Sequence, residues 1–138
     1  MSVKRVVVDT NIVISALTAG GTPQKIIRAW IMGEFLAVMS TELRQEINTV
    51  FNRSKFIKPD KRRRALLGTL FNQALMVLPQ PLDKIVFPDE NDHFLLELAV
   101  TAEATIIVTG DKEMLKVKRI SGIEVLNPQQ FCRKLKIK

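Results

Sequence analysis

Two aspartates each follow a short apolar segment of the chain. Asp9 comes directly after Val6–Val8, and Asp111 follows Ile106–Val108 after two further residues. Segments that are apolar on both faces are typical of strands in a buried parallel sheet, and open α/β sheets carry their reactive groups at the carboxyl ends of such strands. We therefore expect both carboxylates to point into one crevice, although they come from opposite ends of the chain.

Two further acids, Glu46 and Asp92, are expected near the starts of helices that border the same edge. Glu46 lies beside the apolar stripe of its predicted helix, where a carboxylate needs a partner or a bound cation. A surface salt bridge with Arg53 or Lys25 is the alternative. Asp92 is preferred to the acids just before it because it lies in an amphipathic segment, where packing fixes its direction.

Four carboxylates in one crevice would repel one another unless a cation lay between them. Mg²⁺ and Mn²⁺ prefer oxygen ligands, and the sequence lacks the Cys and His spacing of a zinc site. A bound divalent ion can activate a water and stabilise the leaving oxygen of a phosphodiester. The only histidine, His93, is expected to be a surface or capping residue. Asp9 and Asp111 could alternatively do no more than cap the helices that follow them.

The charge of the chain favours a polyanionic partner. Lysine and arginine number 21 against 14 acidic residues, which gives a formal net charge of +7, and nucleic acid is the leading candidate. Residues 53–64 form a dense basic run that we expect to hold the nucleic acid backbone outside the crevice, although a solvated helix face is the other meaning of such a run. Its basic residues are Arg53, Lys55, Lys58, Lys61, Arg62, Arg63 and Arg64.

Strand and helix patterns alternate along the whole chain. The predicted strands are Lys4–Val8, Phe35–Met39, Ala74–Leu78, Thr105–Thr109 and Ile123–Leu126. The predicted helices are Asn11–Leu17, Pro23–Met32, Thr41–Phe51, Asp60–Asn72, Asp92–Thr101, Lys112–Lys116 and a final one that Asn127 caps. This order predicts an α/β fold: a single domain over residues 1–138, with a central, mostly parallel sheet of about four to five strands and helices on both faces.

The remaining features concern the cellular context. The single cysteine, Cys132, cannot form an internal disulfide and is expected to be a small core residue. The apolar runs are too short for a signal peptide or a membrane span. A cytoplasmic protein with no membrane partner is therefore expected.

Four motifs resemble those of the PIN-domain family of metal-dependent ribonucleases. The resemblance extends over nearly the whole chain, and the order and spacing of the motifs together are more specific than any one motif. In sequence order the motifs are Val6–Ile12, Ser40–Ile47, Pro88–Leu95 and Ile107–Asp111.

The resemblance implies a single PIN-like domain and roles for individual residues. It implies that Asn11 and Thr109 support the metal ligands through hydrogen bonds. The catalytic residues and Mg²⁺ or Mn²⁺ ligands that it implies are Asp9, Glu46, Asp92 and Asp111.

Within the family, the chain looks most similar to the small VapC-like toxins of toxin–antitoxin pairs. Those toxins cut RNA, are usually dimeric and are blocked by a co-expressed antitoxin. The resemblance therefore implies an RNA endonuclease with an antitoxin partner and a homodimeric or higher homo-oligomeric state. The chain departs from the family in its extended basic segment, residues 55–64, which bears on the substrate. It also departs at Asn91, where an acid is common, and this bears on metal affinity.

Two other functional classes are open at the level of sequence. One is a non-catalytic PIN-like module that binds RNA or a protein without cutting it. The other is an aspartyl-phosphate receiver or phosphatase built on Asp9, although the acid expected two residues later is replaced by Asn11. A further open question is whether Trp30, with its isoleucine neighbours Ile26, Ile27 and Ile31, forms a dimer face or part of the core.

Overall fold

Three valines lie at the centre of the sheet that the described residues form. In the computed structural model, which describes residues 3–53, 60–82 and 92–138, the side chains of Val6, Val7 and Val8 are at most 2% exposed. A strand buried on both faces in this way belongs to a parallel sheet covered by two layers. The fold is α/β, as predicted.

Strands and helices alternate along the described residues in the predicted order. The strands are β1 (Arg5–Val8), β2 (Leu36–Met39), β3 (Leu75–Met76), β4 (Ile106–Val108), β5 (Arg119–Ile120) and β6 (Ile123–Leu126). The helices are α1 (Thr10–Thr18), α2 (Thr22–Ile31), α3 (Thr41–Arg53), α4 (Lys61–Gln73), α5 (His93–Thr101), α6 (Lys112–Leu115) and α7 (Pro128–Leu135). Each predicted element is present within about two residues of its predicted bounds.

The chain changes direction across the sheet between β1 and β4. The strand order is β3-β2-β1-β4-β6-β5, so β1 leads to β2 and β3 on one side, and β4 then lies on the other side of β1. These strands pair in parallel, except that β5 is antiparallel to β6. A reversal of this kind leaves a crevice outside the carboxyl ends of the two strands, and such crevices bind ligands.

Helices cover both faces of the sheet. The connections from β1 to β2 and from β3 to β4 cross the sheet in opposite directions, so right-handed crossovers put α1 and α2 on one face and α5 on the other. α5 packs against β1, β2 and β4, whereas α2 contacts α1, α4 and α7. Because α5 ends just before β4 begins, its first residue lies at the carboxyl edge of the sheet.

The described sheet has more strands than predicted. β5 is a two-residue strand that joins β6 through Ser121 and Gly122, both with positive φ. Such a short hairpin lacks the alternating pattern that identifies a strand in a sequence. The predicted four to five strands are therefore six among the described residues, and the predicted edge strand Ala74–Leu78 pairs with β2 over Leu75–Met76 alone.

Three aromatic side chains, Trp30, Phe35 and Phe131, pack together between α2, α7 and the sheet. The ring centroids of Phe35 and Phe131 are 5.2 Å apart and their planes are perpendicular, which is a favourable edge-to-face arrangement. Ile26, Ile27 and Trp30 are at most 3% exposed. These three side chains therefore belong to the core rather than to a dimer face.

Cys132 on α7 is also buried. Burial raises the pKa of its thiol, and the charge of Lys25 lowers it by a smaller amount, so the thiol stays protonated at neutral pH. This is the core role predicted for it. None of the helices in the described part of the chain is both long enough and apolar enough to cross a bilayer.

Candidate active site

Asp9 follows β1 at the point where the chain turns into α1. Its amide donates to the carbonyl of Val108 at 3.0 Å, which extends the parallel pairing of Val8 with Val108 by one residue. Its carboxylate caps α1 and accepts a hydrogen bond from the amide of Thr10 at 2.7 Å. Because the side chain is only 8% exposed, it is a buried carboxylate at the edge of the crevice.

Thr109 takes the equivalent position after β4. Because Val8 pairs with Val108, the next residue on each strand projects to the same face of the sheet. The Thr109 hydroxyl donates to Asp9 Oδ2 at 2.7 Å, and the same hydroxyl oxygen accepts from the amide of Asp111 at 3.0 Å. One fully buried hydroxyl therefore joins the ends of two strands.

Asp111 caps the short helix α6. Its Oδ1 accepts from the amides of Glu113 and Met114 at 2.8 and 3.3 Å. These bonds hold the carboxylate at the helix start, where the helix dipole also favours negative charge. Asp9 and Asp111 are thus both helix caps, and a carboxylate that caps a helix still has free acceptor positions for a second role.

Glu46 reaches the same crevice from α3. Its Oε2 accepts from the hydroxyl of Thr10, the residue after Asp9, at 2.8 Å. α1 and α3 pack against each other, and this packing brings the two side chains together. Among the described residues, Glu46 forms no ion pair with Arg53 or Lys25, so the alternative of a surface salt bridge is not what the structure shows.

The Asp9 carboxyl has a raised pKa. Burial is the main cause; hydrogen bonds from Thr109 and Thr10 oppose it, and the negative charges of Glu46 and Asp111 raise the pKa further. Because the interaction between two charges weakens with distance, Glu46 and Asp111 must lie close to Asp9 to raise its pKa. The structure therefore brings three of the predicted acids into one electrostatic cluster.

The three acids have the donor chemistry of a magnesium or manganese site. All the contributing atoms are carboxylate oxygens, which these ions prefer. Within residues 3–53, 60–82 and 92–138, however, no three His, Cys, Asp or Glu side chains are grouped closely enough to hold a metal ion. In this arrangement the charges of Glu46 and Asp111 act on Asp9, but the three acids do not lie in the positions of metal ligands.

Asp92 lies immediately before α5, at the carboxyl edge of the sheet, and is partly buried. It therefore shares an edge with the other predicted acids. It directly follows residues 83–91, which lie outside the described residues and include Asn91. A role for Asp92 beside the other acids stays a prediction. His93, the first residue of α5, is also partly buried.

Comparison with known proteins identifies the family. A family model described as PIN domain matches residues 5–113, which is most of the chain. The chain belongs to the PIN domain family. The matched segment includes all the acids predicted for the site, which are Asp9, Glu46, Asp92 and Asp111.

One curated protein and two solved structures are similar to the chain over most of its length. The uncharacterised protein MJ1680 of Methanocaldococcus jannaschii is 28% identical over 138 residues, covering 92% of this chain and 88% of that protein. The structure of VapBC2 from Rickettsia felis, solved with a DNA fragment from the VapBC2 promoter, matches with a TM-score of 0.60. This match has 15% identity and covers 89% of this chain and 98% of that chain. PAE2754 from Pyrobaculum aerophilum matches with a TM-score of 0.64 at 14% identity, covering 98% and 91%. At these identities the solved structures show a shared fold.

Thr10 was not predicted as a site residue, although it contacts two of the acids in this PIN domain. The sequence offers one sign of its position: it is a hydroxyl residue directly after the acid that ends β1. Asn11, the next residue, is exposed on the first turn of α1. The support that the resemblance assigns to Asn11 stays a prediction.

The part of the basic run at the start of α4 lies at the other end of α1 from Asp9. Arg63 Nε donates to the carbonyl of Leu17 at 3.0 Å, and its guanidinium pairs with Asp60 at 3.3 Å. Arg63 is therefore partly engaged in holding α4 against α1. The exposed members of the run are Arg53, Lys61, Arg62 and Arg64, and the members outside the described residues are Lys55 and Lys58.

Proposed function

We propose that this PIN domain chain is a metal-dependent RNA endonuclease that hydrolyses phosphodiester bonds, and that it is the toxin of a toxin–antitoxin pair. The observation that supports this most directly is the cluster of Asp9, Glu46 and Asp111. The cluster lies where the chain reverses direction between β1 and β4, which is the position that open α/β sheets use for their ligands.

Asp9, Glu46 and Asp111, together with Asp92, are the residues that we propose hold Mg²⁺ or Mn²⁺. Burial is the main cause of the raised pKa of Asp9, and the charges of Glu46 and Asp111 raise it further; a bound cation would remove their repulsion. When bound, such an ion lowers the pKa of a water and stabilises the charge on the leaving oxygen of the phosphodiester.

The residues around the acids orient them before a substrate arrives. The hydroxyl of Thr109 and the amide of Thr10 each hold one oxygen of Asp9. Two amides of α6 hold Asp111. Polar groups fixed in this way need no reorganisation during the reaction, which is a main source of electrostatic catalysis. Basic residues at the start of α4, at some distance from the acids, bind the flanking RNA backbone.

The toxin assignment comes from the sequence motifs and from the family. The motifs resemble those of VapC-like toxins, and a solved structure with the same fold is VapBC2 bound to a promoter DNA fragment. We propose an antitoxin protein as the partner that blocks the nuclease, and a homodimer or higher homo-oligomer as the assembly. The proposed compartment is the cytoplasm.

An RNA cleavage assay with matched variants tests the nuclease activity. A labelled RNA is incubated with the protein in Mg²⁺, in Mn²⁺ and in EDTA, and cleavage is expected only with metal. Asp9→Asn is expected to lose cleavage. The control variants remove an acid close to the site but outside it: Glu42→Gln is exposed on the same helix as Glu46, and Glu113→Gln neighbours Asp111. Both controls are expected to cut RNA at the wild-type rate.

Two results would contradict the nuclease proposal. Cleavage that persists in EDTA would remove the need for a metal, and full activity of Asp9→Asn would remove the acid cluster from the reaction. RNA binding without cleavage under any of the metal conditions would favour the non-catalytic PIN-like module instead.

A further inference from the structure

Thr10 donates hydrogen bonds to two of the acids at the crevice. Its amide donates to Asp9 Oδ1 at 2.7 Å, and its hydroxyl donates to Glu46 Oε2 at 2.8 Å. Thr10 is only 3% exposed, so its hydroxyl has little access to water and depends on a protein partner. One residue thereby connects the end of β1 with α3.

The two side chains of this hydrogen bond differ in their freedom. Glu46 is exposed on α3, and holding a glutamate in one rotamer costs up to about 2 kcal/mol of conformational entropy. Thr10 is β-branched and buried, so few χ1 rotamers are open to it. The Thr10 hydroxyl is therefore the fixed partner, and Glu46 is the group whose position it determines.

We propose that Thr10 is a positioning residue of the nuclease site, whose hydroxyl holds the Glu46 carboxylate beside Asp9 so that both acids are available to one divalent cation. This inference rests on the proposed function. Thr10 acts through Glu46 and needs no contact of its own with RNA or metal. Without the hydroxyl, Glu46 samples rotamers that face solvent, and the two acids act together less of the time.

Direct Mn²⁺ binding tests this role without relying on activity. Free Mn²⁺ is measured by electron paramagnetic resonance, in the absence of RNA, for the wild type, Thr10→Val and Thr10→Ser. Valine keeps the shape of the side chain and the hydrogen bond from the backbone amide to Asp9, but it removes the hydroxyl. Serine keeps the hydroxyl. We expect Mn²⁺ affinity to fall about tenfold or more in Thr10→Val and to return to near the wild-type value in Thr10→Ser.

Thr18→Val is the matched control. It makes the same change on the same helix, at a hydroxyl that donates to the carbonyls of Ile14 and Ser15 within α1. Its Mn²⁺ affinity is expected to equal that of the wild type.

A double-mutant cycle shows whether Thr10 acts through Glu46. The urea midpoints of Thr10→Val, Glu46→Ala and the double variant are compared in EDTA. Because the hydrogen bond needs both partners, each substitution is expected to cost less in the presence of the other than it does alone. Thr10→Ala takes the place of Thr10→Val in both experiments if valine prevents folding.

The expected result is weaker Mn²⁺ binding and slower RNA cleavage in Thr10→Val, with Thr10→Ser restoring both. Wild-type Mn²⁺ affinity in a folded Thr10→Val, an equal loss in Thr18→Val, or additive costs in the cycle would each overturn the inference. Failure of the proposed function is distinguishable, because the wild type itself would then bind no Mn²⁺ and leave RNA uncut. The positioning role would fail with it.

Discussion

Asp9 combines a structural and a chemical role in one side chain. It caps α1, and it accepts a hydrogen bond from the hydroxyl of Thr109. It is also buried, with acidic neighbours that oppose its ionisation. A residue needed for capping alone could be a serine or an asparagine without this electrostatic penalty. A carboxylate kept at a cost in stability is typical of functional sites.

Asp9→Asn is therefore expected to stabilise the metal-free protein at neutral pH. The pKa of Asp9 is raised above its ordinary value of 3.8 in the folded state, so the folded protein holds this proton more tightly than the unfolded chain does. The free energy of unfolding consequently falls as the pH rises from 3.8 through the folded pKa. Thermal unfolding in EDTA should give a higher Tm for Asp9→Asn than for the wild type at pH 7, and similar values below pH 3.8.

An asparagine at position 9 can keep the hydrogen bonds that Asp9 makes, so the wild type and Asp9→Asn differ mainly in charge. An asparagine oxygen can accept from the amide of Thr10 while its NH₂ group donates to Thr109. Glu42→Gln, an exposed acid-to-amide change on α3, is the control and is expected to alter stability by no more than about 0.5 kcal/mol. A lower Tm for Asp9→Asn than for the wild type at pH 7 would show that the charge of Asp9 stabilises the fold.

At the scale of the helices and strands, two substitutions of Asp111, which caps α6, distinguish its capping role from the role of its charge. Asp111→Ala removes the acceptor for the amides of Glu113 and Met114, so it should destabilise the protein by about 1 kcal/mol as well as abolish cleavage. Asp111→Asn keeps an acceptor for these amides, so it should abolish cleavage with little loss of stability. Urea unfolding and RNA cleavage of both variants provide the measurements.

Asn127→Ala on α7 is the matched control for the loss of a cap. Asn127 and Gln130 form a capping box, so the substitution should also cost about 1 kcal/mol. The cleavage rate of the folded protein should stay at the wild-type value. Wild-type cleavage by Asp111→Asn would show that Asp111 serves as a cap alone.

The elements that bear the site could be predicted because each has its own local pattern. Apolar runs mark β1 and β4, and Asn127 with Pro128 marks the start of α7. The pairing of the strands is not visible in a local pattern. Thr109 contacts Asp9 from 100 residues away because β1 and β4 are neighbours in this register. The resemblance to a family pointed to Thr109, whereas composition and spacing did not.

Two other features depend on contacts that form only in the folded protein. The hydrogen bond between Thr10 and Glu46 requires α1 to pack on α3, and neither helix shows in its sequence which neighbour it meets. β5 exists because it pairs with β6, and Lys118, just before it, adopts a positive φ. Predictions from periodicity miss such elements because they contain too few residues to show a period.

At the scale of the whole molecule, a basic groove lies at the far end of α1 from the acidic crevice. Arg63 contacts the carbonyl of Leu17, which lies about 12 Å from Asp9 along α1 at 1.5 Å per residue. Arg62 and Arg63 line a groove of about 720 Å³ at that end of the helix. An RNA strand that reached both the acids and this groove would span more than one nucleotide. In the function we propose, the start of α4 binds the RNA backbone at some distance from the bond that is cut.

The dependence of RNA binding on salt tests this placement. Lys61→Gln combined with Arg62→Gln removes two exposed charges at the start of α4. If both contact phosphates, RNA binding should weaken, and the slope of log affinity against log salt should become shallower by about 1.4, since each contact with a single strand contributes about 0.7. The RNA stays intact if binding is measured in an Asp9→Asn background. Arg133→Gln combined with Lys138→Gln makes the same change of charge near the carboxyl terminus and should leave the slope unchanged. An equal change of slope in both double variants would mean that RNA responds to the net charge of the molecule and not to the start of α4.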